Sequence, residues 1–388
     1  MKRIKQRFTP LGFDHIVFAC NDREFWGKRL EWFGFKRVQA AESGNDPFGK
    51  DDYDAYWGSA FLLGHVRVFL VDQGTVRFGK TYIEWFLKTR GNMQVVEVGI
   101  GVDSIDEAFR EFYDRGMSMS VQVAHPACVG DVFGKYYVTE ITTPLSWSFR
   151  WRLVERENGG ESGEKHNASS NLPFSPMLSE GIDHIAIAVR NLEKWIIFYK
   201  SLGFTVVYTP RMGEGLIEGT QSAMRTCALQ RGGWTIALVE GIDRERKSQV
   251  TTYVEMHGDH SAQHAALLFP DVTKVVGALH AKGAQFRLSK IPKEGEEVSF
   301  HHLLHTGEDY SGPLLQCFTK PFDRKLAHDS KMRGGFFFEL IQRLPQAAKK
   351  KKGKQAFHDP TVVGLLESIE REEVAGDSGL VFPEERVS

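Results

Sequence analysis

The sequence predicts an α+β protein made of two related halves, and two observations lead to this prediction. The first is an internal repeat: Gly-Phe-Asp-His at 12–15 corresponds to Gly-Ile-Asp-His at 181–184, and four apolar residues follow each. The same offset of 169 residues relates the Trp and Gly-Phe positions downstream, Trp26 and Gly34 in the first half and Trp195 and Gly203 in the second. The second observation is that short apolar runs alternate with segments of helical periodicity. Such a repeat indicates two equivalent domains.

Each half is expected to contain two β-α-β-β-β-like units, and the second half shows their order. A strand at 182–189 precedes a helix that begins at Asn191, buries Trp195 and ends at Gly203. The remaining elements are predicted from their apolar pattern as strands at 204–208, 224–229, 234–240 and 264–269, a helix at 272–282, and strands near 285–288, 314–318 and 336–341.

Changes in composition set the predicted domain limits. The segment 157–180 is rich in Gly, Ser, Asn and Glu, so it is predicted to link a domain at 1–156 to a second domain at 181–345. The tail at 346–388 begins with a polar stretch and continues with an apolar stripe at helical spacing, from Val362 to Ile369. We expect this helix either to pack on the core or to close a site as a lid.

Composition limits the classes of function. The 388 residues include 49 Lys and Arg and 50 Asp and Glu, and the net charge of −1 gives no general attraction to nucleic acids or membranes. The basic run from Lys349 to Lys352 is better interpreted as a solvated loop than as a nucleic-acid or targeting segment. A small-molecule partner fits best.

Compartment and assembly are expectations of the same kind. The N-terminal residues have no apolar signal segment after them, and no run of about 18 apolar residues occurs, which favours a soluble protein. The four cysteines are scattered and form no CxxC pair, so a reducing cytoplasm is expected. We also expect a homo-oligomer, either a dimer or a tetramer.

A single carboxylate in an apolar strand indicates a charged site. The segment 334–343 has the sequence Gly-Gly-Phe-Phe-Phe-Glu-Leu-Ile-Gln-Arg, in which Glu339 is the one acid. Burying an unpaired carboxylate is costly, so Glu339 is expected to face a cation or hydrogen-bond donors.

The repeat identifies the groups that accompany this acid. Three equivalent positions hold His15, Glu97 and Arg152 in the first half and His184, His264 and Glu339 in the second. Two imidazoles and one carboxylate make a facial triad, the ligand set of non-haem Fe(II) oxygenases, although Zn²⁺ accepts the same ligands. In the first half the acid and the guanidinium can neutralise each other, and His15 is expected to be a hydrogen-bonded core residue. We therefore predict a metal in the second half and a salt bridge in the first.

Other histidines compete with this assignment. His257 and His260 have the spacing of a helical metal pair, but they lie in a polar segment, whereas His264 begins a repeated strand. Further candidates lie in a region that has no match in the first half, namely His301, His302 and His305. His264 is preferred because the repeat supports it.

Four segments form a specific combination: the strand at 334–343, Gly-Pro-Leu-Leu-Gln-Cys-Phe-Thr-Lys-Pro at 312–321, Ser-Gln-Val at 248–250 and Ala-Gln-His at 262–264. Together they resemble the 4-hydroxyphenylpyruvate dioxygenase family, which includes the 4-hydroxymandelate synthases, and the resemblance runs from Phe13 to about Glu372. It implies the vicinal oxygen chelate fold, with four β-α-β-β-β modules in two barrel-like domains and Fe(II) in the second barrel only.

The resemblance also implies roles for individual residues. It makes His184, His264 and Glu339 the iron ligands, and it assigns to the substrate pocket three glutamines, a hydroxyl and two aromatic rings: Gln249, Gln263, Gln316, Thr226, Phe318 and Phe337. The implied reaction is the oxidative decarboxylation of 4-hydroxyphenylpyruvate to homogentisate in aromatic amino acid catabolism, with Fe(II) as cofactor and both atoms of O₂ incorporated.

Two departures from the family pattern leave the substrate open. Val239-Glu240-Gly241 replaces Asn-Glu-Pro, and the segment 356–362 replaces a glycine-rich entry to the C-terminal helix. Formation of 4-hydroxymandelate, action on another aryl or alkyl 2-oxo acid, and non-catalytic binding of a small molecule are the alternatives.

Overall fold

The computed structural model describes residues 5–38, 56–117, 127–141, 149–156, 178–210, 216–219, 221–289, 300–303, 314–322, 335–344 and 359–375. The chain divides into two compact units, formed mainly by its first and second halves, with Phe198–Thr205 and Gln230–Thr235 grouped with the first. The domain limits 1–156 and 181–345 stay predictions. In the described residues, no helix combines the length and the apolar character that crossing a membrane requires.

The first unit contains an eight-stranded mixed sheet. Its strands are β1 (Pro10–Ala19), β2 (Lys36–Val38), β3 (Ser59–Leu63), β4 (Val66–Val71), β5 (Gln94–Val102), β6 (Ala127–Asp131), β7 (Gly134–Ile141) and β8 (Arg150–Arg156). They lie in the order β2-β3-β4-β1-β5-β8-β7-β6. The helices of this half are α1 (Arg23–Trp32), α2 (Lys80–Arg90) and α3 (Ile105–Asp114).

The second unit is built around a sheet of the same kind. Its strands are β9 (Gly181–Val189), β10 (Thr205–Tyr208), β11 (Leu216–Glu218), β12 (Ala223–Arg231), β13 (Trp234–Ile242), β14 (Ser261–Leu268), β15 (Leu314–Phe318) and β16 (Phe337–Arg343). The order is β10-β12-β13-β9-β14-β16-β15, and β11 pairs with β12. The helices are α4 (Leu192–Ser201), α5 (Gln249–His257), α6 (Val272–Ala281), α7 (Phe300–Leu303) and α8 (Asp359–Ala375). Two mixed sheets with helices confirm the predicted α+β class.

The pairing of the central strands confirms the internal repeat. The order β4-β1-β5-β8 in the first unit matches β13-β9-β14-β16 in the second, and the pairs are parallel, antiparallel and parallel in both. Ala266 of β14 is the partner of both His184 and Glu339. Gly99 of β5 occupies the same place between His15 and Arg152. A Cβ on Gly99 would lie 2.4 Å from the His15 ring, so the first unit needs glycine there.

Helix α4 begins and ends where the sequence predicts. The Asn191 side chain accepts a hydrogen bond from the Lys194 backbone N–H at 3.0 Å, as an N-cap does. Gly203 has φ +90°, a left-handed conformation that costs glycine little, and the chain then enters β10. Trp195 and Tyr199 are fully buried on one side of the helix.

The C-terminal apolar stripe forms helix α8, as predicted. Leu365, Leu366 and Ile369 are buried, and the carboxylate of Glu370 accepts hydrogen bonds from the Ser222 backbone N–H at 2.9 Å and from its hydroxyl at 2.6 Å. Arg371 donates to the backbone oxygen of Leu288 at 2.9 Å. Apolar contacts and polar contacts therefore both hold this helix on the second unit.

One expectation about local structure was wrong. The segment near 285–288 forms, within the described residues, an isolated bridge between Phe286 and Thr319 instead of a strand. Gln249 lies at the start of helix α5. His257 and His260 lie in a polar stretch of sequence yet are fully buried, because Tyr253 and Trp195 pack against their rings.

Some expectations fall outside the described residues. These are most of the predicted linker, the run from Lys349 to Lys352, His305, and the side chains of Cys128 and His301. Of the other cysteines, Cys20, Cys227 and Cys317 are buried and not in disulfides.

Candidate metal centre

The structure brings the three predicted ligand residues together inside the second unit. His184 lies on β9, His264 on β14 and Glu339 on β16, and these strands are neighbours in the sheet. One potential ligand atom from each residue lies within 4.8 Å of the others. The Nε2 atoms of the two imidazoles are each 3.4 Å from Oε2 of Glu339. Among the described residues, this is the group of His, Cys, Asp and Glu that could share a metal ion.

Among the described residues, two imidazoles compensate the charge of Glu339. Glu339 is 1% exposed, and within the described chain neither Lys nor Arg forms an ion pair with it. Burial by itself would raise the pKa of Glu339, but the charge of His184 and hydrogen bonds from both imidazoles lower it to about 2. A carboxylate that stays ionised in a buried site without an arginine is suited to hold a cation.

The two histidines have opposite electrostatic environments. Burial favours neutral His184, but the charge of Glu339 and the hydrogen bond to Asp183 outweigh burial and raise its pKa to about 9. For His264, burial is the stronger effect and its pKa is lowered. His264 is thus neutral and ready to donate an electron pair, whereas His184 must first release a proton.

The chemistry of the donor atoms, with one carboxylate oxygen left unsatisfied, fits a metal ion. Glu339 Oε1 and His264 Nδ1 are buried and have no hydrogen-bond partner among the described residues. Buried polar atoms are rarely left in this state without a bound ion or water. Two neutral-capable imidazoles and a carboxylate are ligands that both Fe(II) and Zn²⁺ accept.

The equivalent position of the first unit is filled by arginines. Oε2 of Glu97 lies 3.1 Å from Nε of Arg152, and Oε1 contacts the Arg77 guanidinium and lies 3.0 Å from Nε2 of His15. Arg152 also pairs with Glu140. The predicted salt bridge and the hydrogen-bonded core role of His15 are confirmed, and these charges are balanced without a metal ion.

A cavity opens on the three candidate ligands, and about 590 Å³ of space lies between the protein atoms when the open solvent at its mouth is included. Five of the six predicted substrate residues line it: Thr226, Gln249, Gln263, Gln316 and Phe318. Gln263 donates to Oε1 of Gln249 at 3.4 Å, and the Thr226 hydroxyl donates to the backbone oxygen of Leu238 at 3.0 Å. The amides and the hydroxyl therefore provide its neutral polar groups.

Phe337 has a different place from the one expected. It is not among the described residues that line the cavity, and its ring stacks on His264 with centroids 4.8 Å apart and planes 26° apart. It contacts the imidazole instead of forming a wall, because it is the register partner of His264 on the neighbouring strand.

Most of the remaining wall is apolar and was not predicted residue by residue. It consists of Ala186, Tyr208, Met224, Ala228, Ala237, Val239, Val362, Leu365 and Leu366. Helix α8 supplies the last three, which is compatible with both proposed roles of the helix, core packing and lid. The strand residues alternate in sequence (Ala186 after His184, Ala228 after Thr226, Val239 after Ala237), and this spacing of two was the signal that could have found them.

Of the rival histidines, the three with described side chains, His257, His260 and His302, take no part in the centre. His260 stacks on Trp195 with centroids 3.8 Å apart, and His257 packs on Tyr253. His302 is buried, and its backbone oxygen accepts a hydrogen bond from the Ser289 N–H at 2.7 Å. Burial lowers the pKa of His260 to about 3, so this ring is neutral and structural.

Comparisons with known proteins identify the fold and its relatives. Residues 181–307 match the family model of the glyoxalase/bleomycin resistance protein/dioxygenase superfamily. A 4-hydroxyphenylpyruvate dioxygenase from Legionella pneumophila is 27% identical over 242 residues, which cover 57% of this chain and 62% of that protein. The enzyme of the same name from Neurospora crassa is 31% identical over 148 residues, covering 33% of this chain and 32% of that protein.

A solved structure extends the match to nearly the whole chain. A triple mutant of 4-hydroxymandelate synthase from Streptomyces coelicolor superposes with a TM-score of 0.64 at 18% identity and covers 94% of this chain and 99% of that one. The sequence matches are shorter than this structural match. The chain spans less than two thirds of the length of the Legionella relative. The chain thus has the vicinal oxygen chelate fold, matches the glyoxalase/bleomycin resistance protein/dioxygenase superfamily over residues 181–307, and is similar over part of its length to 4-hydroxyphenylpyruvate dioxygenases.

Proposed function

We propose that this protein is an Fe(II)-dependent dioxygenase that oxidatively decarboxylates a 2-oxo acid with O₂. The observation that carries the proposal is the convergence of His184, His264 and Glu339 in a buried cavity where no described Lys or Arg neutralises the carboxylate. A dication at this position would complete the charge balance, and the relatives support the choice of iron over zinc.

The three side chains would hold the metal from one side. Fe(II) would supply redox chemistry with O₂ and a chelating position for the carboxylate and keto oxygens of a 2-oxo acid. The protein itself would bind the substrate through Gln249, Gln263 and Gln316 and exclude water with the apolar residues of helix α8. Because the substrate is the electron donor, no separate 2-oxoglutarate or reductant is needed.

Charge balance restricts the substrate. Among the described residues the cavity contains no Lys or Arg, so a bound carboxylate depends on the metal for compensation. A dication with Glu339 leaves one positive charge, which one substrate carboxylate neutralises. A second carboxylate in the side chain of the substrate would be buried without a partner, and such burial is strongly unfavourable. We therefore propose a monoanionic 2-oxo acid.

The side chain of the substrate is proposed to be aromatic or aliphatic. Of the family reactions, conversion of 4-hydroxyphenylpyruvate to homogentisate is the first candidate, and formation of 4-hydroxymandelate is the second. Val239 is buried in the apolar wall and offers no hydrogen bond to a phenol. A lost partner for a buried hydroxyl typically changes preference by about 1–3 kcal/mol, so an unhydroxylated aryl or an alkyl 2-oxo acid is a specific alternative.

Oxygen uptake by the protein loaded anaerobically with Fe(II) tests the proposal. We expect uptake with one or more of 4-hydroxyphenylpyruvate, phenylpyruvate and 4-methyl-2-oxopentanoate, and at least about 100-fold lower kcat/KM with the dicarboxylate 2-oxoglutarate because of its unpaired charge. Mass and NMR analysis of the product distinguishes ring hydroxylation from benzylic hydroxylation. Binding of a 2-oxo acid without any uptake would instead identify a non-catalytic binding protein.

A further inference from the structure

Asp183 and Arg343 form a charged clamp on one of the two candidate imidazole ligands. Nδ1 of His184 lies 2.9 Å from Oδ2 of Asp183. Arg343 holds the same carboxylate with two hydrogen bonds, from Nε to Oδ1 at 2.7 Å and from Nη2 to Oδ2 at 2.7 Å. The opposite ring nitrogen, Nε2, faces Glu339. We call these two residues the Asp183–Arg343 clamp.

This geometry selects one tautomer of the ring. A neutral imidazole carries one proton, and a carboxylate next to Nδ1 keeps the proton there as a donor. Nε2 then carries the free electron pair and is directed at the centre. The bidentate guanidinium fixes the plane of the carboxylate, which in turn fixes the plane of the ring.

The second imidazole is oriented by other forces. Nδ1 of His264 has no hydrogen-bond partner among the described residues. Its ring extends from strand β14 and stacks on the ring of Phe337. The electrostatic control of ligand orientation therefore acts on His184.

The first unit contains the same clamp without a metal site. Nδ1 of His15 lies 2.7 Å from Oδ2 of Asp14, and Arg156 donates to both oxygens of Asp14 at 2.7 Å. Nε2 of His15, however, meets Glu97, which the arginines already neutralise. The contribution of the clamp to folding can therefore be measured in the first unit, separately from any contribution to metal binding.

We propose that Asp183 and Arg343 are positioning residues that hold His184 in its metal-binding tautomer and thereby set the affinity of the centre for a divalent metal. This inference rests on the proposed function, because it assumes that His184 is a ligand. It adds two residues that do not line the cavity and that are not among the three candidate ligands.

Anaerobic titration of the full chain with Co(II), a redox-inert substitute for Fe(II), tests the clamp. In Asp183→Asn the amide can donate to Nδ1 and move the ring proton to Nε2, so we expect the Co(II) affinity, corrected for the proton that His184 releases, to fall about 10- to 100-fold. The visible spectrum of bound Co(II) should change as well. Arg343→Gln, at a side chain that is 33% exposed and so less critical for folding, should give a smaller loss in the same direction.

Asp14→Asn is the matched control. We expect it to lower the free energy of unfolding in urea at least as much as Asp183→Asn, because Asp14 also accepts a hydrogen bond from Arg67 at 2.9 Å, but to leave the Co(II) affinity within about twofold of the wild type. Unchanged affinity in both Asp183→Asn and Arg343→Gln, or an equal loss in Asp14→Asn, would overturn the inference while leaving the proposed function intact. A wild-type chain that binds neither Co(II) nor Fe(II) would overturn both.

Discussion

At the scale of single residues, the two buried carboxylates Glu97 and Glu339 differ in what keeps them charged. Burial opposes ionisation of Glu97, but the guanidinium groups of Arg152 and Arg77 hold its pKa well below the ordinary value. Imidazoles do the same for Glu339. A guanidinium is always protonated, whereas an imidazole can lose its proton and become a metal ligand. The chemistry of the partner, not the burial of the acid, therefore separates the structural site of the first unit from the proposed metal site of the second.

The proton on His184 predicts that metal affinity depends on pH. In the metal-free protein the pKa of His184 is raised to about 9, so at neutral pH the ring is protonated and a metal must displace the proton. One proton released per metal makes affinity rise with pH, about tenfold per pH unit below that pKa, and level off above it. Co(II) titrations at pH 6 to 8 measure this slope. An affinity independent of pH in this range would show that His184 is neutral or is not a ligand.

The same raised pKa predicts that the stability of the metal-free protein falls as the pH rises, whereas its metal affinity increases. Because His184 holds its proton more tightly when folded, its contribution to stability is complete below the unfolded pKa of about 6.5 and is lost as the pH rises towards 9. Metal binding should therefore stabilise the protein most on the alkaline side of neutrality.

The three converging residues could be predicted from the sequence because the repeat compares them with equivalent residues of the first half, where an arginine pairs with the buried acid. The repeat did not assign a role to Asp183 or Arg343, although both occupy repeated positions. The first half has Asp14 and Arg156 at these positions, so the repeat does not separate a positioning role from a structural one, and the hydrogen bond on Nδ1 of His184 is the observation that indicates it. Phe337 was predicted in the substrate pocket because the resemblance assigns it to the aromatic wall, whereas the strand register pairs it with His264.

At the scale of elements, helix α5 shows where local sequence misleads. Its residues from Val250 to Val254 are mostly β-branched, a composition typical of strands. The helix forms because Ser248 caps it and because Val250, Tyr253, Val254 and His257 bury one face at helical spacing. Tertiary packing thus overrides propensity and places Gln249 at the start of a helix beside the cavity.

Helix α8 is held by Glu370, and this predicts how the helix responds to a substitution. Removing the carboxylate in Glu370→Ala leaves the Ser222 N–H and hydroxyl without their acceptor, at a cost of about 1–3 kcal/mol. We expect amide hydrogen exchange in 359–375 to become about 5- to 100-fold faster, as measured by mass spectrometry. Glu367→Ala, on a more exposed face of the same helix, is the control and should leave exchange nearly unchanged. Equal protection in wild type and Glu370→Ala would show that apolar contacts alone hold the helix.

At the scale of the whole molecule, the two units share one strand arrangement but have different charged residues at the equivalent site. The central strands have the same order and direction in both units, and a small residue lies between the site strands in each. The first unit closes its site with arginines, and the second combines the equivalent positions with a cavity. The repeat and the apolar patterns of β12, β13 and α8 were visible in the sequence, but their meeting at one cavity was not, because those segments are distant along the chain. The expected dimer or tetramer stays a prediction.

Metal stoichiometry tests the central claim most directly. We expect the wild-type chain to bind one Fe(II) per chain after anaerobic loading, Glu339→Gln to bind at least about 100-fold more weakly, and Arg152→Lys, the change at the equivalent position of the first unit, to keep one Fe(II). Metal analysis after gel filtration gives the three values. Two metals per wild-type chain, or full iron content in Glu339→Gln, would contradict the account.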